Sequence, residues 1–350
     1  MSNFGVWYAT RERVVAGIDK GMPWAERARV DEAIEAASRS VEGLLHRKFY
    51  PEIRTETFDW PTRLNSGRSW RLWLNDKELI SRPTVVTSGG LDLDVDELLL
   101  YPSGGPPYNR IETDLGGQGT FQSANSHQQQ ISLTGLFGYR DDRVSVGETL
   151  ASVDTDDELL DVSANGRIGV GSILNLSNER VVVTGRRWLA SGQTNLTPMT
   201  AQNNYTGLTV TDGSDFAEGE TILIESEYMT IEAIAGNAMV VKRAQFGSVL
   251  AAHTAASIYQ HNRLEVTRGA LGTTAASHSA GVALTAWVPP RVVTQLTVAE
   301  AVSVFVSENA NYARTIGSGE AVREVRGNSL KDLREQARTA IGRNFRHRAV

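Results

Sequence analysis

Part of this chain is written twice, and that constrains its fold more than anything else in it. Residues 171–183, GSILNLSNERVVV, align with residues 219–231, GETILIESEYMTI, apolar against apolar at an offset of 48 (from 171 to 219). Leu160 and Val162 match Leu208 and Val210 at the same offset. A second echo, at an offset of 25 (from 243 to 268), pairs Arg243, Gly247, Ala251, His253 and Ala255 with Arg268, Gly272, Ala276, His278 and Ala280. Apolar residues alternating with polar ones between short turns are the pattern of half-buried strands. Two diverged copies of a small β unit are therefore expected between about residues 155 and 287, too few for a solenoid and suited to a decorating domain.

The other strong pattern is helical. Within residues 24–50, Val30, Ile34, Ala37, Val41, Leu44 and Leu45 recur at steps of three and four, with charged residues on the other faces. Pro23 suits a first helical position and Pro51 marks the far end, so a helix about 40 Å long is expected. Such a helix needs a broad partner surface. Before it, Thr10 caps a short helix carrying Val14, Val15 and Ile18, with Gly21 past its end. After it, residues 55–60, 70–74, 84–86, 91–95, 98–101 and 131–139 read as strands of a small sheet, separated by Gly, Asn and Pro turns. Beyond Pro289-Pro290 helix signals resume: Thr297 and Glu300 form a capping box ahead of Ala301, Val302, Phe305 and Val306. Ser329 caps a last helix striped by Leu330, Leu333, Ala337, Ala340 and Ile341, in a tail rich in arginine.

Composition narrows the chemistry. The 350 residues include no cysteine, which removes disulfides, iron–sulfur sites and thiol nucleophiles and fits a reducing cytoplasm. The N-terminus lacks a signal-peptide pattern and no run approaches the ~18 apolar residues of a membrane span, so the chain is expected to be soluble and made in the cytosol. A net charge of −6 argues against general nucleic-acid affinity, although the C-terminal tail is locally basic. Neither GxxxxGK nor GxGxxG stands between a strand and a helix, and there is no GxSxG elbow, so nucleotide hydrolysis and serine-nucleophile chemistry have no foothold. His46, His127, His253, His261, His278 and His347 form no HxH or HxxxH pair, so no metal site is expected. His253 and His278 read as turn histidines bonded to backbone. The acidic run 91–97 reads as a strand rather than a calcium loop, because apolar residues alternate with its carboxylates and the turning glycine is missing. Trp60, Trp70 and Trp73 read as core or interface anchors.

In their order, the stretches DEAIEAASRSVEGLLHRKFYP, LLLYPSGGPPYNRIET and ISLTGLFGYRD, with closing helices and a basic C-terminus, resemble the head–tail connector (adaptor) proteins of long-tailed double-stranded DNA phages. The run from Val266 to Gly281 is similar to segments of assorted phage structural proteins. The resemblance spans about residues 5–145 and 288–350, and typical members lack the part between. It implies an α+β fold: a helical bundle with a small antiparallel sheet formed from both chain ends, plus an inserted all-β two-unit domain. The divisions are then 1–145, 146–287 and 288–350. It also implies a structural virion protein of the neck, not an enzyme and without a cofactor. That protein would form a ring, usually of twelve subunits, between the portal protein and the stopper or tail, with viral DNA passing through unread. The terminal helix would dock to the portal through Leu330, Leu333, Arg334, Arg338, Ile341 and Phe345, and Val30, Ile34, Val41 and Leu45 would face neighbouring subunits. The rival expectation is a glycan-binding or glycan-hydrolysing tail or decoration protein that works through the β insert.

Overall fold

The computed structural model describes residues 5–18, 27–61, 68–117, 119–163, 166–309, 315–316, 323–324 and 327–342. It corrects the expected fold class. Strand takes 35% of the chain against 21% helix, and the larger sheets, all antiparallel, have ten, four and three strands. The duplicated unit accounts for the imbalance: its strands join one continuous sheet, so β structure is the body of the molecule rather than a decoration on a helical bundle.

Helix α1 (Arg11–Gly17) starts where Thr10 caps it, its hydroxyl accepting from the Arg13 amide at 3.4 Å. Helix α2 (Arg27–Leu45) stops before the Pro51 signal because His46 turns into the left-handed region at φ 52°. Its 19 residues span about 28 Å rather than 40 Å. Pro23, Trp24 and Gly21 lie outside the described residues. Strands β1 (Glu52–Phe58), β2 (Arg71–Trp73), β3 (Val85–Ser88), β4 (Leu91–Asp92), β5 (Leu98–Tyr101), β6 (Arg110–Thr113) and β7 (Ile131–Phe137) form two small sheets, ordered β1-β7-β3-β4 and β2-β6-β5. They share one core built on Phe58, Leu72, Leu98, Ile111, Leu133 and Phe137. No strand from the C-terminal part joins either sheet among the described residues, so these sheets do not unite the two chain ends as expected.

The large sheet contains β8 (Arg143–Glu148), β9 (Leu159–Asp161), β10 (Ile173–Leu176), β11 (Glu179–Thr194), β12 (Gly207–Thr209), β13 (Thr221–Ile224), β14 (Glu227–Ala235), β15 (Ala238–Lys242), β16 (Ser257–Thr267) and β17 (Ala283–Trp287). Within it β9-β16-β11-β10-β17 and β12-β15-β14-β13-β16 are adjacent in these orders. The two five-strand sets have one topology and share the long β16. One copy is nested inside the other: the inner unit is inserted between β11 and β16 and shares the start of β16. The cores correspond position by position. Leu160, Leu174, Leu176, Val181 and Val183 cluster in the outer unit, and Leu208, Ile222, Ile224, Met229 and Ile231 cluster in the inner one. Each hairpin turns through two residues, the first at positive φ: Ser177 at 53° and Glu225 at 54°. The expected boundary at 145/146 falls inside β8, which pairs with β17.

Helix α3 (Arg291–Asn309) begins directly after Pro290, whose carbonyl accepts from the Val293 amide at 2.9 Å. The Thr297–Glu300 box is therefore mid-helix. Thr297 donates its hydroxyl back to the Val293 carbonyl at 2.9 Å, and Glu300 serves a different partner, described below. Helix α4 (Gly327–Ile341) follows. The helices cover the second face of the outer unit: Ile173, Val182 and Trp287 meet Val41, Leu45 and Leu296. Every residue of β10 is consequently buried, whereas β13, with only one face covered, alternates half-buried and buried positions.

Candidate functional site

Each copy of the β unit buries one carboxylate beneath a long loop, and the same bonds recur in both. In the inner unit Arg243 makes a two-pronged pair with Glu227, Nε to Oε1 at 3.0 Å and Nη2 to Oε2 at 2.6 Å. The Ala244 and Ala251 amides donate to the same two oxygens, each at 3.0 Å, and His253 Nε2 lies 2.9 Å from Oε2. In the outer unit Arg268 holds Glu179 at 2.7 and 2.8 Å, the Gly269 and Ala276 amides donate at 2.9 and 3.1 Å, and His278 Nε2 stands 2.9 Å away. Burial alone would raise the Glu179 pKa; the bonds from Arg268, Gly269, His278 and Ala276 outweigh it and hold the group at about 2. Glu227 is lowered against the same burial by Arg243, His253 and the two amides.

These clusters are staples rather than reaction centres. Every carboxylate oxygen in them is engaged, and the Arg243 and Glu227 side chains are fully buried. The histidines bond the buried glutamates through their rings and Met199 or Val153 through their backbones, where backbone bonds alone were expected. His253 adds a second ring contact, Nδ1 to Glu225 Oε2 at 2.9 Å, and Ser177 occupies the matching place in the outer unit. The signal for the clusters lay in the sequence: Glu179 and Glu227 share the 48-residue offset, while the Arg and His pairs share the 25-residue one. Among the described residues no group of three His, Cys, Asp or Glu is placed to hold a metal, and no helix is long and apolar enough to cross a membrane.

The stripe expected to face neighbouring subunits is satisfied inside one chain. Val30 and Ile34 pack against Ala301 and Phe305 of α3, while Val41 and Leu45 pack against Val293 and Leu296, and all four are fully buried. The terminal helix is different. Within its described part, residues 330–342, only Ala337 is buried, while Leu330, Leu333 and Ile341 rest half-buried on the same core. Arg334 donates to Glu300 Oε1 at 2.8 Å with 46% of its side chain exposed, and Arg47 donates to the Ile341 carbonyl at 2.9 Å. Lys331 and Arg338 are exposed. Phe345 and the arginines beyond Gly342 lie outside the described residues. The exposed charges on the described part of this helix are mixed: Lys331, Arg334 and Arg338 with Asp332 and Glu335.

The tryptophans divide. Trp60 donates Nε1 to the Phe121 carbonyl at 2.6 Å and packs on the small-sheet core, and Trp73 is 36% exposed with Arg110 5.2 Å from its ring centre. Comparison with protein-family models, curated proteins and solved structures returns no match to this chain.

Proposed function

We propose that this protein is a structural component of a phage neck, a ring-forming connector whose C-terminal helix docks to the portal. The observation that carries this reading is α4: among its described side chains only Ala337 is buried, and Leu330, Leu333 and Ile341 are half-buried on the core. The Arg334–Glu300 ion pair and the Arg47 bond to the Ile341 carbonyl tie it down, and Lys331 and Arg338 face outward beside Asp332 and Glu335. Among the described residues little of its own chain covers its outer face, which leaves that face to a partner in this reading. The order of parts supports the same reading, since α2 from one chain end and α3 and α4 from the other close on one core. Val30, Ile34, Val41 and Leu45 are excluded as ring contacts by their burial, so subunits meet through other surfaces. Exposed apolar residues such as Leu91, Leu99 and Leu115 on the small-sheet region are the ones this reading assigns to neighbours.

The test is co-sedimentation of the full chain with the portal protein of the same particle. Replacing Lys331 and Arg338 with Glu should weaken binding at least tenfold and leave thermal unfolding unchanged. Binding indifferent to both changes would remove α4 from the contact.

One observation favours the glycan-binding alternative. Tyr228, Leu223 and Tyr259 are register neighbours across β14, β13 and β16, and Trp188 stacks on Tyr228 with ring centres 5.6 Å apart. In this reading Tyr259, 37% exposed, and the Trp188–Tyr228 pair offer an aromatic face for a sugar ring to stack on. Retention on a glycan array that is lost on Tyr259→Ala would support it.

A further inference from the structure

Between α1 and the inner β unit lies a cavity of about 350 Å³, within the range of small-ligand sites. Its apolar wall comes from Val15, Ile18 and Phe246, and Arg11, Arg27, Arg186 and Lys242 bring four cationic side chains to it. Glu220 lines it too, at 2% exposure. Its Oε2 accepts from the Ala217 amide at 3.1 Å and from Gln260 at 3.3 Å, but Oε1 has no hydrogen-bond partner. The nested repeat shows what is unusual here. The matching residue of the outer unit is Ser172, whose hydroxyl accepts from the Gly169 amide at 3.1 Å, the same turn bond that Glu220 makes. Serine suffices for the fold. The inner copy carries a longer acid whose second oxygen does nothing for the turn.

We propose that this cavity binds a small oxyanion, a phosphate or carboxylate group carried on a short apolar body, with Arg186 as its cationic anchor and the unpartnered Oε1 of Glu220 as its second contact. Arg186 is positioned for this by its Nε bond to the His261 carbonyl at 2.9 Å, and it stands 3.9 Å from Glu12. The groups facing Glu220 are Arg11, Glu12 and Arg27 from the helices and Arg186, Lys242 and His261 from the strands. Burial raises Glu220 to about 7, against the Ala217 amide, Arg186, Gln260 and Asn262. Burial, then Arg186 and Arg27, push His261 down to about 3, so it stays neutral; Arg27, lowered to about 10 by burial and Arg11, stays charged. Asp31 holds Arg11 through two bonds and Glu12 stands beside Arg186, so the anion's charge is met chiefly by Arg186 with Arg27 and Lys242 on the same wall, and Glu220 is the neutral donor below pH 7.

Calorimetric titration of the full chain with sulfate and, separately, with benzoate tests this, because neither probe changes charge between pH 6 and 8. Sulfate binding points to phosphate-type ligands and benzoate binding to carboxylates. For the probe that binds, affinity should fall about tenfold from pH 6 to pH 8, following one proton at Glu220. Glu220→Gln, which keeps a donor, should bind with no pH dependence in that window, and Arg186→Ala, checked as folded by its circular dichroism, should lose binding. Failure of both probes to bind, binding that survives Arg186→Ala, or a pH dependence that survives Glu220→Gln would overturn the proposal.

Discussion

Removing a buried carboxylate from either copy of the β unit strands an arginine beneath its loop. Glu179→Gln and Glu227→Gln should each cost about 3–5 kcal/mol in urea unfolding, the range for an orphaned buried charge. A loss below about 1 kcal/mol would show that the loop carbonyls of Thr200 and Ala251, or their counterparts at Asp154 and Ala276, hold the arginine unaided. The pH profile carries its own sign. Glu179 sits at about 2 in the folded chain against an ordinary 4.5, so its contribution is present above pH 4.5 and disappears as pH falls towards 2. Acid unfolding of Glu179→Gln should therefore be less steep than that of the parent across this window. Glu220 runs the other way. With its folded value raised to about 7, it stabilises below pH 4.5, loses that advantage as pH rises to 7, and leaves the unliganded protein up to about 3 kcal/mol less stable above it. Glu220→Gln should consequently raise the melting temperature at pH 8 and change little at pH 4.

At the scale of elements, the nested unit is removable on paper. Leu189 and Gln260 are register partners on β11 and β16, so a two-residue turn replacing residues 190–259 closes a hairpin where the strands already lie side by side. The shortened chain should fold with the outer core and the helical layer intact, seen as one cooperative transition with a smaller denaturant slope. Collapse of the whole fold would mean that the inner unit is not a separate layer of stability. The duplication was legible because its apolar period repeats at fixed offsets. Its nesting was not legible: the two offsets stand as separate echoes in the sequence, and only the strand order shows that the first half of the outer copy precedes the inner copy and its second half follows. Other features were hidden for physical reasons. Capping-box chemistry at Thr297 and Glu300 suits a helix start, but Pro289-Pro290 had already begun the helix, leaving Glu300 to pair with Arg334. The stripe of α2 was visible, but periodicity says only that a face is buried, not whether the cover is α3 or another subunit. Glu220, Arg186 and His261 carry no local motif; the fold alone brings them to one cavity.

For the whole molecule, the two chain ends close on one core, the ten-stranded sheet extends from it, and the loop of the outer unit binds the two together. Gly272, at φ 78°, sits in that loop where a Cβ would fall 1.8 Å from the Ile53 carbonyl oxygen, and the Ile53 amide donates to the Leu271 carbonyl at 2.9 Å. Gly247, its counterpart at φ 79°, has open space around it. Gly272→Ala should therefore destabilise the protein more than Gly247→Ala in parallel thermal melts. The most direct measurement is electron microscopy of the purified full chain mixed with the portal protein of the same particle. The connector reading predicts closed rings stacked coaxially on the portal; single subunits that leave the portal bare would contradict it.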